Sequence, residues 1–387
     1  MMASVLLASC ALAVWIYLIA GHGEFWRVAE RDETDEPAAQ PASWPGVVAV
    51  VPARNEADMV PHSIASLIAQ DYPGSFTIVF VDDNSDDGTA EAVRAASAEA
   101  LDRVTVLPGM SIATGWTGKL WAVSQGVAYV EELAEPPKYL LLTDADIVHS
   151  RDALRTLVAR AEAGGLVLTS RMARLRCESL AERALIPAFV FFFQMLYPFA
   201  WVNRRDSRTA AAAGGCMLVE RKCLAAAGGI AAIRTAVIDD CTLGARLKTQ
   251  GPIWLGLSNR ATSIRPYATF AAIRRMVIRS AYAQLNYSAF LLLGTVLGLA
   301  ITYIAAPLIA VLGSGTGQVA GAAAWALMGL AYLPTLRFYR QSPLWAPLLP
   351  IIAAVYMGFT LDSAYQHMRG RGGMWKGRAQ ALPAKGR

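Results

Sequence analysis

Through the middle of the chain, short apolar runs alternate with longer mixed stretches. Val47–Val51 is an uninterrupted apolar run, the pattern of a strand buried on both faces. Ala57–Gln70 reads as a helix, Phe76–Val81 as a strand, Asp86–Ala100 as a helix and Val104–Leu107 as a strand. Lys119–Leu133 predicts a helix, Tyr139–Thr143 a strand, 150–163 a helix, and Leu166–Ser170 and Cys216–Val219 further strands, with a helix-like stretch at Cys241–Gln250. Strand–helix alternation predicts an α/β domain, a Rossmann-like and mostly parallel sheet with flanking helices, over about 46–285. Ligands bind such sheets at the carboxyl ends of the strands. Polar clusters stand at those ends here: Pro52-Ala53-Arg54-Asn55-Glu56, Asp82-Asp83-Asn84-Ser85 and Asp144-Ala145-Asp146.

The pattern on either side is different. Residues 2–20 are uncharged and about the length that spans a bilayer, so 1–21 predicts a transmembrane anchor. A cleaved signal peptide would want a basic start and a shorter apolar core. Residues 22–45 are acidic and then Pro/Ala-rich, and read as a linker. Residues 280–336 contain no Asp, Glu, Lys, Arg or His. The turn 313–318 divides that stretch into helices near 287–312 and 319–336, and a third uncharged segment covers 343–361, so 286–362 predicts α-helical transmembrane segments. Arg274, Arg275 and Arg279 before the second span, and Arg337 and Arg340 after the third, place the middle domain in the cytoplasm by the positive-inside rule. The tail 363–387 conflicts with that rule if 343–361 crosses fully, and re-entry or packing would resolve it. One more uncharged run, 184–203, includes Phe189, Phe191, Phe192 and Phe193. A crossing there would separate Asp144 from Asp240. The run is therefore expected to lie at the headgroup boundary with its aromatic face toward lipid or a lipid-filled groove.

Composition sharpens this. Of 387 residues 55% are hydrophobic and 17% charged, against about 25% charged in an average soluble domain. The net charge is +5, but Arg369, Arg371, Lys376, Arg378, Lys385 and Arg387 supply +6 of it, leaving the remainder at −1. A near-neutral body argues against nucleic-acid binding, and the tail resembles a juxtamembrane cluster for anionic headgroups. Five cysteines without a CxxC argue against a disulfide framework or a zinc site.

The candidate chemistry lies in carboxylates and glycines. Asp144 and Asp146 at a strand end could grip a divalent ion and leave positions for diphosphate oxygens; the plainer reading is a solvated loop before a helix. Asp239-Asp240 could supply a general base, or cap a helix whose dipole favours acids. Gly118-Lys119 opens a helix and could bind an anion, or Lys119 could be an ordinary surface lysine. Gly214-Gly215 before Cys216 permits close approach of a ligand, or simply makes a turn.

In order and spacing these pieces resemble the GT-A fold of family 2 glycosyltransferases. Val50-Val-Pro-Ala-Arg-Asn-Glu56 is similar to the family's opening nucleotide-site motif, and Val81–Thr89 to its second. The resemblance implies nucleotide-sugar binding by Pro52, Arg54, Asn55, Glu56, Asp83, Lys119 and Asp144, with Asp83 on the base. It implies Mg²⁺ or Mn²⁺ held by Asp146 with Asp144 nearby. Gly214, Gly215 and Asp239 would lie on the acceptor side, and Asp240 would be the catalytic base. Arg275 and Arg279 would cover the diphosphate. Asp239-Asp240 stands where the family has Glu-Asp, and Arg275-Met-Val-Ile-Arg279 lacks the Gln-x-x-Arg-Trp of processive members, which favours transfer of a single sugar. Gly115–Trp121, the Phe-rich run and Trp375-Lys-Gly-Arg378 look like the hopene-associated glycosyltransferases of bacteria. That implies a multi-pass inner-membrane enzyme with a cytoplasmic catalytic domain, a nucleotide-diphospho-sugar donor and a hopanoid or related lipid acceptor. A polyprenyl-phosphate acceptor, a metal-dependent nucleotidyltransferase and a non-catalytic membrane scaffold are the competing readings.

Overall fold

The computed structural model describes residues 2–32 and 39–370, with the backbone of 374–375 and 378–379. The chain divides into two compact units. One comprises Glu30–Arg176, Trp201–Arg265 and Met374–Arg387; the other comprises Met1–Ala29, Cys177–Ala200 and Pro266–Gly373.

The first unit is built on an eight-stranded sheet: β1 Val47–Ala53, β2 Phe76–Asp82, β3 Val104–Pro108, β4 Tyr139–Thr143, β5 Ile147–His149, β6 Leu168–Arg174, β7 Cys216–Glu220 and β8 Ile253–Ser263. Their spatial order is β3-β2-β1-β4-β7-β6-β8-β5. From β3 to β4 all neighbours are parallel, the half where strand–helix alternation is legible in sequence. Beyond β4 the sheet is mixed. β7 runs antiparallel to β4 and β6, β6 runs parallel to β8, and β5 runs antiparallel to β8. β5 and β8 are additions to the sequence-based expectation. The first has only three residues, and the second carries Gly256 and the polar pair Asn259-Arg260 inside it.

β6 starts two residues later than its apolar run. Gly165 ends the preceding helix in the left-handed region at φ 55°, and the Leu166 N–H closes back onto Ala161 O at 2.9 Å. On one face of the sheet, Val47, Ala49, Val51, Ile78 and Phe80 pack against Val60, Ile64 and Leu67 of the helix Val60–Ile68. The helix Gly118–Glu131 approaches β1 so closely that a Cβ on Gly126 would lie 2.5 Å from Val50 Cγ1.

Residues 30–32, read in sequence as part of a linker, belong to this unit. The Leu257 N–H donates to Glu30 O at 2.9 Å, and Asp32 pairs with Arg171 Nε at 2.8 Å, both side chains 1% exposed. Arg171 also donates to Ala153 O and Thr156 Oγ1. The linker residues 33–38 lie outside the described residues, as do Arg371, Lys376, Lys385 and Arg387 of the basic tail and the side chains of Trp375 and Arg378.

Among the described residues of the second unit, four helices are long and apolar enough to cross a membrane: Met2–Ala20, Ala289–Leu312, Gly315–Phe338 and Pro343–Met368. The turn between the second and third is shorter than its glycines imply, because the third helix already begins at Gly315. The fourth runs past 361 as far as Met368. The aromatic run lies in the helix Leu180–Leu196, which Ser179 and Glu182 start with a reciprocal capping box and which ends before Pro198. Its rings do not all face outward as the sequence suggested. Phe191 is fully buried, 5.3 Å from the rings of Phe25 and Tyr332. Phe192 lies 5.7 Å from Tyr303 and 5.1 Å from Tyr356. One helix face cannot hold residues 191, 192 and 193 together, since successive residues turn by about 100°. Packing within the unit takes the face that carries Phe191.

Candidate functional site

The chain leaves β1 toward β2 and β3, then returns to place β4 on the other side of β1. This reversal opens a crevice at the carboxyl ends of β1 and β4. Val50 pairs with Leu142, so Pro52 and Asp144 emerge at the same end. Thr143 pairs with Cys216 of β7, which brings Gly214-Gly215 to that end as well, and Thr143 Oγ1 donates to Gly215 O at 2.7 Å. Pro52, Lys119, Asp144, Gly214 and Asp239 line one cleft.

Lys119 is fixed by the start of its helix, where Thr117 caps the Leu120 N–H. Its Nζ lies 2.9 Å from Asp144 Oδ1 and 3.2 Å from Asp239 Oδ2. One partly buried cation thus joins the acid at the end of β4 to Asp239, the first residue of the helix Asp239–Lys248. Asp240 is held by two backbone donors: Gly214 N–H to Oδ2 at 3.0 Å and Cys241 N–H to Oδ1 at 2.8 Å. A Cβ on Gly214 would sit 3.3 Å from Lys119 Nζ and 3.5 Å from Asp240 Oδ2, so the absence of a side chain there keeps the three groups together.

Burial raises the pKa of Asp240 to about 6, with the neighbouring Asp239 adding to the rise and Lys119 opposing it. Burial also lifts Asp144, against the pull of Lys119. For Lys119 burial works the other way, but Asp144 and Asp239 outweigh it and hold the ammonium charged well above its ordinary range. The cluster can keep one carboxyl near neutral titration beside a permanent cation.

Asp146 faces different partners. Its Oδ2 accepts from Ser263 Oγ at 2.6 Å and lies 3.3 Å from Arg265 Nε. The same guanidinium reaches Glu56 through its NH2 group. Ser263 and Arg265 are site residues the sequence reading did not name; their place depends on β8 pairing with β5, where Ser263 stands opposite Ile147. The remaining predicted donor-side residues form a third group. Arg54 donates to the carbonyls of Asp83 and Asn84, while Asn55 Nδ2 donates to Asp86 Oδ1 and Asn55 Oδ1 accepts from the Asp86 N–H. Asn55 and Asn84 both take left-handed backbone, at φ 52° and 54°, a conformation asparagine tolerates. Asp83 is fully buried. Arg275 and Arg279 belong to the other unit, at the helix Phe270–Ile278 and just past its end.

No cluster of three His, Cys, Asp or Glu side chains able to hold a metal by themselves occurs among the described residues. Asp144 and Asp146 still fit a hard divalent ion of the Mg²⁺ or Mn²⁺ kind. Such ions are bound through one or two carboxylates with water and substrate phosphates completing the shell. The ion pairs described engage Oδ1 of Asp144 and Oδ2 of Asp146, one oxygen of each carboxylate.

Residues 48–227 match the family model for Glycosyl transferase family 2. Over 110 residues, 28% of this chain, the sequence is 32% identical to the 4,4'-diaponeurosporenoate glycosyltransferase of Staphylococcus aureus strain USA300. The match spans about a quarter of that protein (26%). Among solved structures, the mannosyltransferase PcManGT from Pyrobaculum calidifontis, in complex with GDP-Man and Mn²⁺, aligns with a TM-score of 0.59 at 18% identity, covering 94% of this chain and 99% of that one. That likeness is one of fold.

Proposed function

We propose that this chain of GT-A fold is a family 2 glycosyltransferase, a reading supported by the family match over residues 48–227, and that it moves one sugar from a nucleotide-diphospho-sugar to a lipid acceptor, with inversion at the anomeric carbon. The observation that carries this reading is the Lys119 bridge from Asp144 to Asp239, beside Asp240, at the strand-order reversal. It supplies one acid site for the donor and another for the acceptor, with a cation common to both.

Asp240 takes the proton from the acceptor hydroxyl as that oxygen forms the new bond to the anomeric carbon and the bond to the diphosphate breaks. The two backbone N–H groups on its oxygens aim the carboxylate, and a pKa near 6 lets it be ionised yet basic at neutral pH. Asp144 and Asp146 would hold the divalent ion, which when bound supplies charge neutralisation for the leaving diphosphate. Lys119 orients Asp239 and Asp144 and adds positive charge near the departing group. Pro52, Arg54, Asn55, Glu56 and Asp83 would form the donor-side wall at the ends of β1 and β2.

A lipid acceptor is supported by the four helices able to cross a membrane and by the relative whose name gives 4,4'-diaponeurosporenoate as its substrate. Within that class we favour a hopanoid or related apolar lipid, and a bacterial inner-membrane enzyme working from the cytoplasmic side. The test is product identity. Purified protein is given a panel of sugar nucleotides with hopanoid, carotenoid-acid or polyprenyl-phosphate acceptors. Release of a nucleoside diphosphate with a glycosylated hopanoid supports the full reading. Transfer to polyprenyl phosphate moves the acceptor assignment, and release of pyrophosphate overturns the reaction class.

A further inference from the structure

The Asp146 carboxylate already holds a cation. Arg265 holds it through Nε at 3.3 Å while its NH2 group is on Glu56, so one planar fork lies between two carboxylates. The anchor is firm. Glu56 is 7% exposed, and its own N–H is fixed on Thr89 Oγ1 at 2.9 Å. Ser263 adds a neutral hydrogen bond to the same oxygen of Asp146 at 2.6 Å. The guanidinium itself is a quarter exposed, at 25%.

We propose that Arg265 is a positioning residue, a resident cation that occupies Asp146 until the donor arrives and then turns to the donor's diphosphate. The turn toward diphosphate rests on the glycosyltransferase reading; the occupation of Asp146 does not. An arginine cannot shed its charge by deprotonation, so taking it off Asp146 requires another cation to replace it. A divalent ion arriving alone must displace a guanidinium that gains no new anion. An ion arriving with a diphosphate brings a cation for Asp146 and an anion for Arg265, and both exchanges are then charge-balanced. Ion and nucleotide are therefore coupled through Arg265, and the coupling is reciprocal. In consequence the donor-free protein holds metal weakly, and Asp144-Ala-Asp146 selects the ion–nucleotide pair over either part.

The experiment reads free Mn²⁺ by electron paramagnetic resonance on the full-length protein in detergent, first alone and then with UDP or GDP, without any turnover. In Arg265→Ala, Mn²⁺ alone should bind at least fivefold tighter than in wild type. The factor by which nucleoside diphosphate strengthens Mn²⁺ binding should fall at least tenfold. Arg265→Lys keeps a point charge but not the two-armed reach, and should fall between the two. If Arg265→Ala loses the wild-type melting transition, the neutral and nearly isosteric Arg265→Gln gives the same reading. Mn²⁺ affinity in the nucleotide-free variant equal to or weaker than wild type overturns the proposal, and so does an unchanged coupling factor. Failure to transfer sugar from any donor would sink the glycosyltransferase reading and still leave the Mn²⁺-alone comparison intact.

Discussion

Lys119→Met removes the cation held 2.9 Å from Asp144 and 3.2 Å from Asp239 while keeping a chain of similar length in the cleft. Two consequences follow with different sizes. Removing one partner of a fully buried ion pair costs ~3–5 kcal/mol. Here the lysine side chain is 20% exposed and its partners 33% and 21%, so solvent relieves part of the loss and about 2 kcal/mol of destabilisation is expected. The second consequence is electrostatic. Burial and Asp239 raise Asp240 to about 6, and Lys119 is the group that restrains the rise. Without it the carboxyl climbs further, by roughly one unit or ~1.4 kcal/mol. The ionised fraction of the base at pH 7 then drops from ~90% to ~50%. The assay is the acid limb of kcat/KM against pH, which reports the free protein's base. It should move upward from near 6 in wild type, whatever happens to the absolute rate. Asp239→Asn removes an opposing influence and should move the same limb downward. A limb in Lys119→Met that stays put or moves to lower pH would refute the electrostatic assignment of Asp240.

Asp240→Asn should cut turnover at least a thousandfold while nucleoside diphosphate affinity stays within about threefold, since an amide accepts no proton; near-normal turnover would move the base to Asp239. Gly214→Ala puts a methyl group 3.3 Å from Lys119 Nζ and 3.5 Å from Asp240 Oδ2, and should lower kcat about tenfold with a melting shift of only a few degrees; full activity would show that Gly214 is merely a turn residue. Phe191→Ser should destabilise the protein by about 3–5 kcal/mol, because the ring is wholly enclosed by its own unit; loss of acceptor use with unchanged stability would restore an outward-facing role. His149 has its pKa depressed to about 3, by burial first and Arg171 second. A free histidine titrates near 6.5, so stability is full above that pH and falls as pH drops from there toward 3, by up to ~1.4 kcal/mol per unit. His149→Gln should flatten the decline of melting temperature between pH 6.5 and 5, and an unchanged slope would remove His149 as its source.

The half of the sheet from β3 to β4 is legible in sequence because each strand is a short apolar run, and β1, β2 and β4 each stop at a polar cluster. The placing of Asp144 and of the pair Asp239-Asp240 in one cleft region follows from the same pattern: each closes an apolar stretch and opens a turn or helix. Arg265 is not legible, because its partner Asp146 is reached only through the antiparallel pairing of β5 with β8, between segments more than a hundred residues apart. Neither is the docking of Glu30–Asp32. An acid in a Pro-rich, charged stretch reads as solvated, and an arginine inside the strand β6 argues against burial, yet the two cancel each other's penalty once they meet. The Phe-rich run shows in sequence that it leaves water. Which of its rings the protein itself covers depends on Phe25, Tyr303, Tyr332 and Tyr356, scattered along the chain.

The Asp32–Arg171 pair governs how this protein can be shortened. A chain started at Gly46, where the first strand is about to begin, would look reasonable and would strand a guanidinium that is 1% exposed with no anion beside it. It would also strip the Leu257 N–H of the carbonyl at Glu30 and leave the outer part of β8 with a bare edge. Such a fragment would tend to associate edge to edge or to precipitate. Cutting between Ala20 and Glu30 removes the apolar helix and keeps the counter-ion. A chain beginning there keeps the buried ion pair and the covered edge of β8, while the three later apolar helices still call for detergent.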